Sequence, residues 1–248
     1  MKKILFTALA VLLITSCSKK ETNKMPSDIN FKVLSIDSTV HLTDDSKSPA
    51  CEVKISMLYA QGKHADKIND TLLRSGILTP DYLSLSNEKL TVRTAVDSFV
   101  AHYLSDYQRD YKEIYRQDPE HANTLNNYFK LVTKVSSQKE GYLTYIATIS
   151  YYGGGAHDIQ QTQVRNFDAK TGKLIHLKDI FVPGYENHLN DIIKENLMKR
   201  YDVDDWKQLS DRFFFSDGKI YAPENFILGN NYITLFIVTG KQIGRAHV

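Results

Sequence analysis

Two cysteines in 248 residues allow one bridge at most, and none if one of them carries a lipid, so a disulfide framework is excluded. Long apolar runs are equally scarce. The best one, Ile4 to Ile14, falls short of the ~20 residues that span a bilayer. No block of like charge stands out: the formal net charge is +2 with 24% charged residues. That balance excludes the electrostatic footprint of a nucleic-acid binder. The GxxxxGK(S/T) phosphate loop, the HExxH zinc helix and the GxSxG nucleophile elbow are all missing. Cys–His metal spacing is missing too, so no metal or other cofactor is expected.

What is present begins with the layout of a secretory signal. Lys2 and Lys3 supply the positive start, the apolar run follows, and Ile14-Thr15-Ser16-Cys17 closes it. A cysteine directly after two small residues resembles the lipobox of bacterial lipoproteins. There the thiol is acylated and the chain is cut just before it. Residues 18–28 (SKKETNKMPSD) then read as a polar tether. The expectation is residues 1–17 as leader, lipid on Cys17, and an extracytoplasmic body held to an envelope membrane of a diderm bacterium. The net charge becomes zero once Lys2 and Lys3 leave with the leader. Cys51, ahead of the alternating Glu52–Met57 stretch, reads as a small packed residue rather than a nucleophile.

At the other end, Leu235–Val238 reads as the close of a buried strand. The last six residues, Ile243–Val248, are what a common sequencing adapter encodes in one frame. Residues 241–248 are therefore expected to be a non-native tail, with the last strand of the sheet truncated.

Between the ends, apolar periodicity sets the elements. Strands are expected at Ile29–Val40, Cys51–Tyr59, Tyr128–Ser136, Tyr142–Tyr152 and Gln160–Phe167, and a last one at Asn231–Val238. A short helix is expected over Asp66–Leu73, and a long one from Ser86, its cap, to Gln117. A third spans Tyr185–Tyr201 and should bury Leu189, Ile192, Ile193 and Leu197. A further hairpin is expected around Ser216–Gly218. In the long helix Val92, Val96, Phe99, Val100, Tyr103, Tyr107, Tyr111 and Ile114 form one stripe, which should lie on the sheet. The order gives an α+β fold: antiparallel sheets packed by a long amphipathic helix and a second helix, in two small modules at 29–140 and 141–240.

One set of motifs goes further. Ile149–Tyr152 runs into Gly153-Gly154-Gly155-Ala156-His157. Asn166-Phe167-Asp168, Thr171-Gly172-Lys173 and Leu177-Lys178-Asp179-Ile180-Phe181 follow. Together they resemble the RsiV/PdaC-like family of extracellular domains, the Lys67–Leu72 stretch being similar to that family's amino-terminal "IN" helix. The resemblance implies a PdaC-like amino-terminal part and an RsiV-like carboxy-terminal part. It also implies a partner at the cell wall, peptidoglycan or a secreted protein such as lysozyme. The chain lacks the family's anti-sigma segment and its deacetylase domain, so neither activity carries over.

The residues themselves favour binding. Tyr151, Tyr152, Gly153, Gly154, Gly155 and His157 form the candidate binding segment. Asp168, Thr171, Gly172 and Asp179 are expected in turn roles, since Asp and Gly supply the side-chain acceptor and the positive φ that tight turns need. The alternative is a cell-wall hydrolase or deacetylase-associated enzyme using His157, with an acidic residue such as Asp168 as its partner in acid and base work.

Overall fold

The computed structural model describes residues 28–82, 89–136, 141–154, 157–209, 213 and 219–237. Cys17, the tether, Ser86, the Ser216–Gly218 hairpin and the tail lie outside the described residues. So do Gly155 and Ala156.

Strands β1 (Ile29–His41) and β2 (Ala50–Gly62) form an antiparallel hairpin. Helices α1 (Ala65–Leu73) and α2 (Val92–Gln117) follow. Then come β3 (Asn127–Ser136), β4 (Tyr142–Tyr152) and β5 (Ile159–Asp168). These five strands make one sheet in the order β1-β2-β3-β4-β5. Helix α3 (Tyr185–Tyr201) and a two-stranded sheet, β6 (Phe226–Leu228) with β7 (Ile233–Leu235), complete the fold.

The α+β class is as expected, with one departure from an antiparallel sheet. β2 and β3 run parallel, Cys51 opposite Asn127 through Ser56 opposite Val132. The chain leaving β2 passes through α1 and α2 before it returns, and such a crossover brings the next strand back in the same direction. The 140/141 boundary falls inside the β3–β4 hairpin, whose register runs from Tyr128 opposite Tyr152 to Ser136 opposite Thr144. The sheet is thus continuous across it.

Helix α2 starts later than its periodicity implies. Thr91, not Ser86, is the cap: its extended backbone lets the side-chain oxygen accept from Thr94 N at 3.1 Å. The stripe then lands on the sheet. Phe99 meets Phe129 of β3 with ring centroids 4.9 Å apart, and Tyr103 lies 5.5 Å from the same ring. Val92, Val96, Phe99 and Val100 join Val53, Ile55, Met57, Leu131, Tyr145 and Ile149 in the main core. The stripe is not buried throughout, however: Ile114 is exposed, while Tyr111 and Tyr115 of the same turns pack against a smaller cluster around Leu42, Cys51 and Tyr107.

β2 is longer than its parallel ladder with β3, and side chains close the remainder. Thr133 Oγ1 accepts from Leu58 N at 2.7 Å, and Tyr145 Oη donates to Leu58 O at 2.8 Å. Ala60 is held on both its backbone groups by the Asn69 amide. This gives the Ile68-Asn69 pair a physical meaning: Ile68 enters the core and Asn69 stands in for a missing strand.

A separate core joins Ile175, Leu177, Phe226 and Leu228 to Tyr142, Phe181 and α3. Here one expectation fails. Of the four apolar residues assigned to the buried side of α3, only Ile193 is buried; Ile192 is 40% exposed. The neighbouring strand β7 has three residues, Ile233 to Leu235, rather than Asn231–Val238. Among the described residues, it leaves that side of the helix partly uncovered.

Candidate functional site

Alternation along β4 splits the sequence-selected segment. Tyr151 points to the helical side, where it packs against the main core, while Tyr152 belongs to the opposite, outer face. The loop that follows is tied to α2: Tyr111 Oη donates to Gly153 O at 2.8 Å. Gly153 and Gly154 are exposed, Gly154 with φ +88, and His157 is exposed. The segment therefore does not converge on one point.

The outer face is organised by register instead. Residues directly opposite on paired strands share a face, so the pairing defines rows across the sheet. One row is Thr39, Glu52, Tyr128 and Tyr152. The next is Asp37, Lys54, Lys130, Ser150 and Gln160, and a third is Ser35, Ser56, Val132, Thr148 and Thr162. Lys130, Thr148 and Gln160 are exposed, and Val132 is 58% exposed. The same face is closed farther along. Thr144, Ile146, Val164 and Asn166 are buried there, and Asn166 Nδ2 donates to Phe226 O at 2.7 Å. Asn225 also pairs with the edge of β5, accepting from Val164 N and donating to Thr162 O. The carboxy-terminal elements thus cover one end of the outer face and leave the other open.

The open end has a defined chemistry. The Tyr128 and Tyr152 rings stack with centroids 6.3 Å apart at 25°. Tyr128 Oη donates to Asp158 Oδ2 at 3.0 Å, and Gln160 Nε2 donates to the same oxygen at 2.9 Å. Those two donors, Gln160 first, hold the Asp158 carboxyl below the usual carboxylate range. Partial burial is the main cause that raises the Tyr128 phenol. Lys130 Nζ lies 4.6 Å from the Tyr128 ring centroid, a cation–π contact. Flat rings with a polar rim can bind, but no nucleophile and base are paired here.

The turn residues sit elsewhere. Asp168 Oδ1 accepts from Thr171 N at 2.8 Å and from Thr171 Oγ1 at 2.9 Å. Gly172, at φ +63, lies against His64 at the start of α1. Asp179 Oδ2 accepts from His176 N at 2.9 Å, and Glu224 accepts from Leu177 N next to it. His157 precedes β5 and Asp168 is its last residue, and the strand's ten residues at a rise of about 3.3 Å put ~30 Å between them. The pairing of His157 with Asp168 as acid and base is overturned by that distance.

Tyr128, Lys130, Asp158 and Gln160 were not singled out from the sequence. The usable signal was the polar and aromatic parity of Tyr128/Lys130 and Ser150/Tyr152, but only the register brings the strands together. Away from this face, a concavity of about 280 Å³ lies between α3 and the small sheet, lined by Phe181, Leu189, Ile192, Ile193, Ile233 and Leu235. Among the described residues, no three His, Cys, Asp or Glu side chains gather as a metal site, and no helix is long and apolar enough to cross a membrane.

These features define an α+β module with one sheet face cored by helices and the other half open. Residues 178–240, which hold α3, β6 and β7, match the family model DUF3298, a protein of unknown function. The chain is also similar to the solved structure of a DUF3298 family member from Bacteroides fragilis. Identity is 26%, the TM-score is 0.68, and the match covers 84% of this chain and 82% of that one. A DUF3298 family protein from Pseudomonas aeruginosa shares the fold at 16% identity and a TM-score of 0.51, over 83% of this chain and 82% of the other. No curated protein matches.

Proposed function

We propose that this protein is a lipid-anchored component of a diderm cell envelope whose α+β body binds cell-wall glycan without cleaving it. The open end of the outer face carries the reading, with the stacked Tyr128–Tyr152 pair beside Asp158 and Gln160. Aromatic faces suit the apolar C–H side of a sugar ring, and the flanking carboxylate and amide offer an acceptor and donors for its hydroxyls. The leader closing at Cys17, the polar tether behind it and the resemblance to RsiV/PdaC-like extracellular domains support the location and the wall partner.

Two experiments test it. Cells fed a labelled fatty acid should label the wild-type chain and not Cys17→Ser; an unlabelled wild-type chain in the cytosol refutes the anchoring. Full-length protein carrying Cys17→Ser should sediment with purified peptidoglycan, and Tyr128→Ala/Tyr152→Ala should lose that retention. Wild-type protein that stays in the supernatant refutes glycan binding.

A further inference from the structure

The glycan reading leaves the charge of the ligand open, and the outer side of β3 addresses it. Along this strand the outward residues are Tyr128, Lys130, Val132 and Lys134. Lys130 faces Lys54 of β2 directly in the register. Like charges set opposite each other on neighbouring strands are unfavourable. Lys54 is compensated: its Nζ lies 3.0 Å from Glu52 Oε2, and Asp37 stands opposite it on β1. Lys130 and Lys134 have no carboxylate within ion-pair distance among the described residues, and both are exposed. Lys130 instead leans on the Tyr128 ring, so one cation touches the same ring that would stack on a sugar. The other lysine stands four residues on, about 13 Å along the strand. An extended sugar chain with acidic groups at intervals can therefore lie along β3, one ring on Tyr128 and Tyr152 and its acids at the two ammonium groups.

Resting on the glycan reading, we propose that the face selects acid-bearing N-acetylated glycan strands, lying along β3, whose carboxylates are held by Lys130 and Lys134. A neutral strand would keep the stacking and lose both charge contacts. Asp158, at the tyrosine end of the row, disfavours a carboxylate beyond Tyr128 and so orients the chain.

The test uses full-length Cys17→Ser protein and three probes. These are stem-free strands of alternating N-acetylglucosamine and its 3-O-lactyl ether, the same strands with their carboxyls amidated, and neutral chito-oligosaccharides. By titration calorimetry, the acidic strands should bind roughly three- to tenfold more tightly than the amidated ones. Added salt should narrow that gap, because exposed charges are screened. Lys130→Ala/Lys134→Ala should bind both strands alike, Lys130→Arg should keep the preference, and circular dichroism should show each variant folded. Equal affinity of the wild type for acidic and amidated strands, with binding still lost in Tyr152→Ala, overturns the charge selection and leaves glycan binding standing. No binding of any probe overturns both.

Discussion

Asn69 of α1 holds Ala60 of β2 by both backbone groups at once: Ala60 N donates to Asn69 Oδ1 at 2.8 Å, and Asn69 Nδ2 donates to Ala60 O at 3.0 Å. A buried strand whose ladder with its neighbour has ended needs some substitute for the lost pairing. The amide supplies one donor and one acceptor in the arrangement a neighbouring strand would offer. It also adds a polar tie between α1 and the sheet to the apolar packing of Ile68, Leu72 and Leu73.

Asn69→Ala should therefore destabilise the fold by about 2 kcal/mol, since two hydrogen bonds go and two backbone groups of the buried Ala60 lose their partners. Asn69→Asp keeps the acceptor and loses the donor, and should fall between the two. Urea unfolding midpoints measure the effect. A change below a few tenths of a kcal/mol would mean that water replaces the amide.

Gly172 answers to two constraints. Its φ of +63 is a conformation L residues avoid, and an added Cβ would stand 2.5 Å from His64 Cβ. Gly172→Ala should destabilise by about 2 kcal/mol or more, combining the left-handed penalty with the clash. Adding His64→Gly should recover the clash and leave the backbone part, giving a non-additive double-mutant cycle. Strict additivity in thermal unfolding would refute the contact.

Thr91→Ala removes the α2 cap and should lower stability by about 1 kcal/mol. Thr91→Ser should restore most of it, because serine offers the same acceptor. Denaturant titration of the three proteins decides the matter.

Alkaline pH should weaken the fold. Burial chiefly pushes the Cys51 thiol from 9.0 up to about 12, and burial raises the Tyr103, Tyr107 and Tyr145 phenols in the same direction. The folded chain keeps these protons while the unfolded chain releases them. The thiol's contribution is thus full below pH 9.0 and is lost as pH climbs towards about 12. Each group adds a slope of at most about 1.4 kcal/mol per pH unit. Cys51→Ala should flatten stability against pH by close to one proton in that window. An unchanged slope would show that the thiol ionises in the folded state.

Local chemistry was legible in the sequence wherever one element decides the outcome. The β4 alternation separates Tyr151 from Tyr152, and the Asp168–Gly172 turn follows from residue type. What needs a second element was hidden. Tyr128 meets Tyr152, Asp158 and Lys130 only through register, and register depends on where the chain returns after α1 and α2. The α3 periodicity implies burial, yet a three-residue β7 leaves Ile192 at the surface. The α2 start shifted to Thr91 because a cap is set by backbone conformation at one residue.

The parallel seam between β2 and β3 has a kinetic consequence. β1 with β2, and β3 with β4 and β5, can each assemble from near neighbours, whereas the seam joins Cys51 to Asn127 across the whole helical crossover. Closing so long a loop comes late and slows folding. Until it zips, each half presents a bare strand edge, and that interval is when a newly made chain is most open to pairing with the wrong neighbour.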